Sequence, residues 1–188
     1  MPVGVAKVSV QEAVEWDEFS GRLEAVDRVE IRPRVGGTID AVHFTDGQMV
    51  KKGDLLYTID QKPYVASLQS AKAIAMFAQT ELARAQNLLP EKAISQREFD
   101  EKKNAHDVAA ANLTKAQLDL GYTQIRAPIA GRINRAEITV GNLVGMGMEA
   151  PVLSTIVSLD PIYASFEVDE KSFVRYVSAH GSPENMMQ

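Results

Sequence analysis

The segment IRPRVGGTIDAVHFTDGQMV, residues 31–50, is repeated in diverged form as IRAPIAGRINRAEITVGNLV at residues 125–144. The two segments align without a gap, and seven of their twenty positions are identical. Glycine permits backbone conformations that other residues avoid, so glycines at matching places predict matching structural turns. The four glycines concerned are Gly37, Gly131, Gly47 and Gly141. We predict one strand–strand–turn–strand unit used twice, with the two copies packed together as a β-sandwich because neither can bury its apolar face alone.

The chain between the two copies has a different character. No glycine lies between Gly53 and Gly121, and the segment is rich in the helix formers Ala, Gln, Glu, Lys and Leu. Its first part follows the 4-3 spacing of a coiled-coil seam. The residues at that spacing are Tyr64, Leu68, Ala71, Ala75, Ala78, Leu82, Ala85 and Leu89.

A second helix is predicted after a short break. Pro90 ends the first helix, because proline is not tolerated in a helix interior. Ser95, with Glu98 three residues later, forms a capping box that begins the next helix. That helix has its own seam, at Phe99, His106, Ala109, Leu113, Ala116 and Leu120. Two helices of similar length with a short connection predict an antiparallel hairpin. The alternative is two helices that lie flat on a globular core.

The motifs around the repeat resemble those of known proteins. DGQMVKKGDLLYTID (46–60) resembles half of a biotinyl/lipoyl carrier domain. Two such halves are split by the hairpin, with YTQIRAPIAGRI (122–133) on re-entry and LDPIYASFEVDE (159–170) after it. This arrangement resembles the periplasmic adaptors, or membrane fusion proteins, of resistance-nodulation-division (RND) multidrug efflux pumps. The resemblance covers essentially the whole chain.

The resemblance implies an elongated α+β fold with three modules. A split lipoyl-like β-sandwich (29–60 and 122–158) is interrupted by an antiparallel coiled-coil hairpin (61–121). A partial β-barrel comes from residues 1–28 and 159–188, with VDEKSFVRYVSAHG as a short helix after its first returning strand. Members of the family continue into the rest of the barrel and a membrane-proximal domain, and they start with a signal sequence, so the chain is expected to be incomplete.

The resemblance also implies a function. It predicts a non-catalytic adaptor in the periplasm that links an inner-membrane, proton-driven RND-type transporter to an outer-membrane channel. Membrane association comes through segments outside this chain, and self-association gives a hexamer in the assembled pump. The alternatives are an adaptor of a metal, ATP-driven or type I secretion exporter, a biotinyl or lipoyl carrier subunit, and a bare coiled-coil scaffold. A carrier needs a lysine on a tight turn between the halves, where this chain has the hairpin.

Candidate contact residues follow from the family pattern. The spacing R-x3-L-x6-S, which the family uses at the hairpin tip to engage the channel, falls on Arg84, Leu88 and Ser95. Alternatively, Leu88 closes the hairpin and Ser95 only caps the second helix. Ile74 and Phe77 lie off the seam, where they contact a neighbouring hairpin or cover the edge of their own seam.

A basic cluster is predicted in the lipoyl layer, for lateral contact with acidic residues of a neighbouring copy or as a solvated face. Its members are Arg32, Arg34, Arg132 and Arg135.

Composition excludes several functions. The formal net charge of −5 argues against a general nucleic-acid binder, and the lack of cysteine excludes disulfides, cysteine zinc sites and thiol catalysis. The three histidines, His43, His106 and His180, show no metal-ligand spacing and no catalytic partner motif. We therefore predict no catalytic residue, no metal and no cofactor.

Overall fold

The structure is a computed structural model that describes Gly4 and residues 18–147 and 150–180, with the side chains of 176–180 left out of the description. In chain order its elements are β1 (Gly21–Ala25), β2 (Arg28–Ile31), β3 (Gly37–Val42), β4 (Met49–Val50), β5 (Leu55–Ile59), α1 (Lys62–Leu88), α2 (Gln96–Tyr122), β6 (Gln124–Arg126), β7 (Gly131–Ile133), β8 (Leu143–Val144), β9 (Ser154–Val157), β10 (Ile162–Phe166) and α3 (Glu170–His180).

The chain divides into two compact units. Residues 25–161 form the larger unit, and the described residues on either side of it belong to the smaller one. The division lies a few residues from the boundaries predicted between barrel and sandwich. The alternation in VGVAKVSV (3–10) also predicts a short strand, but this segment falls outside the described residues except for Gly4.

Two four-stranded sheets make up the sandwich of the larger unit, and their order reflects the sequence repeat. One sheet has the order β2-β9-β7-β4 and the other β6-β5-β3-β8. Replacing each strand by its repeat equivalent (β2 by β6, β3 by β7, β4 by β8 and β5 by β9) converts one order into the other. Each sheet therefore contains two strands from each half, and the predicted sandwich of two equivalent halves is confirmed.

Backbone hydrogen bonds repeat in the same way. Ile39 N donates to Asn142 O at 2.9 Å, and the equivalent Ile133 N donates to Gln48 O at 3.0 Å. The turns beside these bonds contain Gly47 at φ 76° and Gly141 at φ 90°, a left-handed conformation that favours glycine.

The other glycine pair has a different role. Gly37 and Gly131 are each the first residue of a strand rather than part of a turn. A side chain at Gly131 would overlap the carbonyl oxygen of Val157, and one at Gly37 would lie 2.6 Å from Ile59 Cγ2. Glycine is needed there for close approach between strands.

The core lies between the sheets. Its fully or almost fully buried apolar residues come from both halves: Ile31, Val35, Ile39, Val50, Leu56, Tyr57, Ile59, Ile125, Ala127, Ile133, Val144, Leu153 and Ile156. The Tyr57 hydroxyl donates to the Leu153 carbonyl at 2.7 Å, and its ring packs edge-on against Phe44. Burial, with the nearby charges of Asp46 and Glu137, raises the pKa of Tyr57 far above its usual range.

One strand covers only the start of its alternating segment. The alternation in GRINRAEITV (131–140) predicts a short strand, and β7 ends at Ile133. Beyond it, Asn134 N donates to Thr155 O at 2.8 Å and Glu137 N donates to Leu153 O at 2.9 Å. The register shifts by one residue between these two bonds, so the segment follows the neighbouring chain without continuing as a regular strand.

The two hairpin helices are equal in length, 27 residues each, or about 40 Å. Every predicted seam residue of α1 and α2 is buried or half-buried, while Ile74, Phe77, Val108 and Leu118 off the seam are exposed. The alternative of helices lying flat on a globular core is wrong. Among the described residues no helix is both long and apolar enough to cross a membrane.

In the smaller unit, β1 pairs with β10, and α3 follows β10. The short helix predicted after the first returning strand is thus confirmed over the residues that the structure describes. This unit is the part of the chain predicted to be a partial barrel.

Candidate docking site at the hairpin tip

The hairpin tip is a compact turn with internal hydrogen bonds. Helix α1 ends at Leu88, two residues before Pro90. Ala93 N then donates to Leu88 O at 3.1 Å, and Lys92 N donates to Leu89 O at 3.0 Å. Lys92 adopts a left-handed conformation with φ 56°, which reverses the chain toward α2.

Ser95 begins the second helix. Its backbone is extended, with φ −80° and ψ 157°, and its hydroxyl accepts a hydrogen bond from Glu98 N at 3.2 Å. Ser95 therefore has the geometry of an N-cap. The residue is also exposed, so the cap does not prevent contact with another protein.

Arg84 and Leu88 lie one turn apart on the same face of α1. The Arg84 side chain is 70% exposed, and Leu88 is 39% exposed although it is apolar. Together with Ser95 they present a cation, an aliphatic side chain and a hydroxyl at the end of the hairpin. This is where the family pattern predicts the docking residues.

An ion-pair network that the predicted seam does not contain lies behind this surface. Glu81 accepts from Arg84 Nη1 at 2.7 Å through Oε1, and from Lys102 Nζ at 3.1 Å through Oε2. Lys102 stands three residues after Phe99 and four before His106, a spacing compatible with the seam. Spacing alone does not predict its partner, because the contact joins two different helices.

Ile74 and Phe77 are 59% and 67% exposed, off the seam as expected. Ile74 borders a shallow groove along one face of the hairpin, lined mainly by small and polar residues of both helices, such as Ser67, Ser70 and Asn112. Either predicted role of Ile74 and Phe77 stays a prediction.

The four arginines of the predicted cluster have separate surroundings. Arg32 pairs with Glu30 at 2.9 Å, and Arg34 lies 5.2 Å from the Tyr122 ring centroid. These two arginines line one groove at the base of the hairpin.

The other two arginines do not line this groove. Arg132 Nε donates to Gly47 O at 3.0 Å, and Arg135 forms two hydrogen bonds with the Glu137 carboxylate. Arg32 and Arg34 thus lie near each other, whereas Arg132 and Arg135 contact other residues. The four arginines do not form one cluster.

In the described part of the chain, no group of three or more His, Asp or Glu residues could hold a metal ion. His43 Nε2 lies 2.8 Å from the Thr58 hydroxyl, and His106 is half-buried on the seam beside Asp107. The side chain of His180 lies outside the description.

The hairpin also occupies the position of the turn that would join the two halves of the sandwich. β5 and β6 are antiparallel neighbours, and the chain leaves one at Ile59 and re-enters the other at Gln124. Ile59 N donates to Thr123 O at 2.9 Å, so the two ends of the hairpin are adjacent.

Comparisons with known proteins agree with this architecture. Residues 27–156 match the family model described as RND MFP, barrel-sandwich hybrid domain. The antibiotic efflux pump periplasmic linker protein ArpA of Pseudomonas putida is 40% identical over 161 residues, covering 86% of this chain and 43% of ArpA. The efflux pump periplasmic linker BepF of Brucella suis is 39% identical, covering 93% of this chain and 45% of BepF. The chain thus spans less than half the length of these relatives.

Solved structures show the same fold. A MacA-MexA chimeric protein that contains the Pseudomonas aeruginosa MexA α-hairpin domain superposes with a TM-score of 0.73 at 28% identity, covering 82% of this chain and 55% of that one. A putative efflux transporter from Bacteroides eggerthii superposes with a TM-score of 0.72 at 26% identity, covering 87% of this chain and 49% of that one.

Proposed function

Since the chain belongs to the RND membrane fusion protein family through its barrel-sandwich hybrid domain, we propose that it is the periplasmic adaptor subunit of a tripartite drug efflux pump. It links an inner-membrane, proton-driven transporter to an outer-membrane channel and associates with the inner membrane. It carries out no chemistry of its own, and the transporter supplies the energy. Several copies, six in our proposal, enclose the path between the two membranes.

The observation that carries this proposal is the hairpin that splits the sandwich and presents an exposed, chemically mixed tip. An exposed leucine provides an apolar anchor, and an arginine provides several directed N–H donors. Leu88 and Arg84 combine the two on one face of α1, and Ser95 adds a small hydroxyl. Such a surface suits docking to a protein partner, because its three side chains are exposed at the end of the hairpin.

A pull-down from membranes tests the assignment of partners. Wild-type protein is expected to capture an inner-membrane RND transporter and an outer-membrane channel, while Arg84→Glu loses only the channel. Capture of an ATP-driven exporter instead would place the chain in another branch of adaptors. A mass shift equal to biotin or lipoate would support the carrier alternative.

Drug susceptibility gives the functional counterpart. Arg84→Glu and Leu88→Ser are each expected to abolish resistance in a strain that depends on this adaptor, with the protein still folded and present in normal amount. Arg97→Glu is the matched control, because Arg97 is exposed near the tip and pairs with Glu101, but lies outside the docking pattern. Resistance that survives both tip substitutions contradicts the docking assignment.

A further inference from the structure

Glu81 joins the docking arginine to the opposite helix. One of its carboxylate oxygens accepts from Arg84, three residues along α1, and the other accepts from Lys102 of α2. Both hydrogen bonds are charge-assisted, which makes them stronger and more directional than neutral ones. The three side chains form one chain of contacts that crosses the hairpin.

Glu81, at the centre of this chain of contacts, is its least exposed member. The side chain of Glu81 is 21% exposed, that of Lys102 40% and that of Arg84 70%. Glu81 is thus held against the seam, while Arg84 extends outward from it. The hydrogen bond from Lys102 keeps the pKa of Glu81 below its usual range, and the charges of Lys102 and Arg84 act in the same direction. Glu81 is accordingly ionised at neutral pH.

We infer that Glu81 is a positioning residue of the docking surface, which orients Arg84 and fixes it relative to Ser95 through Lys102. The link to Ser95 is the helix itself, because α2 begins at that residue and Lys102 lies two turns further along. The pairing uses one of the five N–H donors of the guanidinium, and the described part of the chain offers Arg84 no second acceptor. The remaining donors face solvent, where a partner can accept hydrogen bonds from them. This inference rests on the proposed function.

Orienting Arg84 in advance strengthens docking because a free arginine loses rotamer freedom when it binds. Without Glu81, Arg84 would lose this rotamer freedom only on binding the channel, and the affinity would be lower. We expect the affinity for the channel to drop by about two- to tenfold when the contact is removed, the range that corresponds to immobilising one long side chain.

A purely structural role for Glu81 would consist of the pair with Lys102 alone, which ties α1 to α2. A charge swap separates the two roles. Combining Glu81→Lys with Lys102→Glu keeps an ion pair between the helices but places a lysine beside Arg84, which repels it. The pair across the hairpin is then retained, while the contact that orients Arg84 is lost.

The experiment compares the full chain in five forms: wild type, Glu81→Gln, the charge swap, Lys102→Arg and Arg84→Glu. We would measure thermal unfolding, the Kd for the purified outer-membrane channel captured in the pull-down, and the order of the Arg84 guanidinium by ¹⁵N relaxation. Glu81→Gln and the charge swap are expected to bind about two- to tenfold more weakly, with a more mobile Arg84. Lys102→Arg, which keeps the cation, is expected to behave as wild type.

The outcomes separate this inference from the proposal on which it rests. If the charge swap binds the channel as tightly as wild type while Arg84→Glu binds weakly, Glu81 is only structural and the inference is wrong. If Arg84→Glu itself binds like wild type, the docking proposal fails and the inference falls with it.

Discussion

At Gly131, β7 passes so close to β9 that a side-chain carbon has no room. A Cβ there would overlap the Val157 carbonyl oxygen and lie 2.9 Å from its carbon. Because the obstacle is backbone in the middle of a sheet, it cannot move aside as a flexible side chain could. We expect Gly131→Ala to lower the free energy of unfolding by about 1–3 kcal/mol, measured by urea denaturation.

Gly121→Ala is the matched control for that substitution. Gly121 lies in α2, and a Cβ there meets no atom within 4 Å. Alanine should stabilise this helix by up to about 1 kcal/mol. If Gly131→Ala and Gly121→Ala change the free energy of unfolding equally, chain entropy and not contact between strands explains the glycine at position 131.

The glycines also show what sequence can predict about single residues. Matching glycines in two copies of a motif indicate that each has a structural reason, and all four do. The reasons differ, however. Gly47 and Gly141 need a left-handed backbone, whereas Gly37 and Gly131, which also have positive φ values of 149° and 159°, need space beside a neighbouring strand. A single sequence does not distinguish these cases, because the space depends on which strands become neighbours in the sheet.

At the scale of elements, Ser95 combines an observed structural role with a proposed one. As N-cap it accepts a hydrogen bond from Glu98 N, and it is exposed at the tip, where we propose that it contacts the channel. We expect Ser95→Ala to destabilise the hairpin by about 1 kcal/mol, seen as a lower Tm in circular dichroism.

Ser95→Asp tests the second role, because aspartate is as good an N-cap as serine. This variant should keep the Tm but weaken binding to the channel, since it adds charge and bulk to the tip. If Ser95→Asp binds the channel normally, the hydroxyl serves only as a cap.

The seam shows where heptad reasoning succeeds and where it stops. Every residue that the spacing places on the seam, from Tyr64 to Leu120, is buried or half-buried, because helix geometry fixes which residues face the partner helix. The spacing did not identify Glu81 and Lys102, whose charged groups meet across the hairpin at 3.1 Å. Charged residues are usually assigned to the solvent side, so a pair satisfied across a seam becomes visible only when both helices are in place.

At the scale of the whole molecule, the repeat predicted two equal halves but not how they combine. The strands exchange, so that each sheet contains two strands from each half. The sequence pattern is equally compatible with two halves that each form their own sheet. In this arrangement Ile39 N donates a hydrogen bond to Asn142 O, and Ile133 N donates one to Gln48 O, so the two halves are joined through their backbones. Neither half then has a complete sheet of its own, and folding of one depends on the other.

This arrangement predicts that the sandwich folds without the hairpin. The core cluster contains no fully buried residue of α1 or α2, and only Tyr64 and Tyr122 of the hairpin pack partly against it. β5 and β6 are antiparallel neighbours, with Thr58 opposite Gln124, so a two-residue turn can connect them. Replacing residues 60–122 with Asn-Gly should therefore give a protein with cooperative thermal unfolding and dispersed β-sheet resonances in NMR spectra. It should not bind the outer-membrane channel, which the full chain binds in the same assay. An unfolded product would instead mean that the hairpin is needed to bring the two halves together.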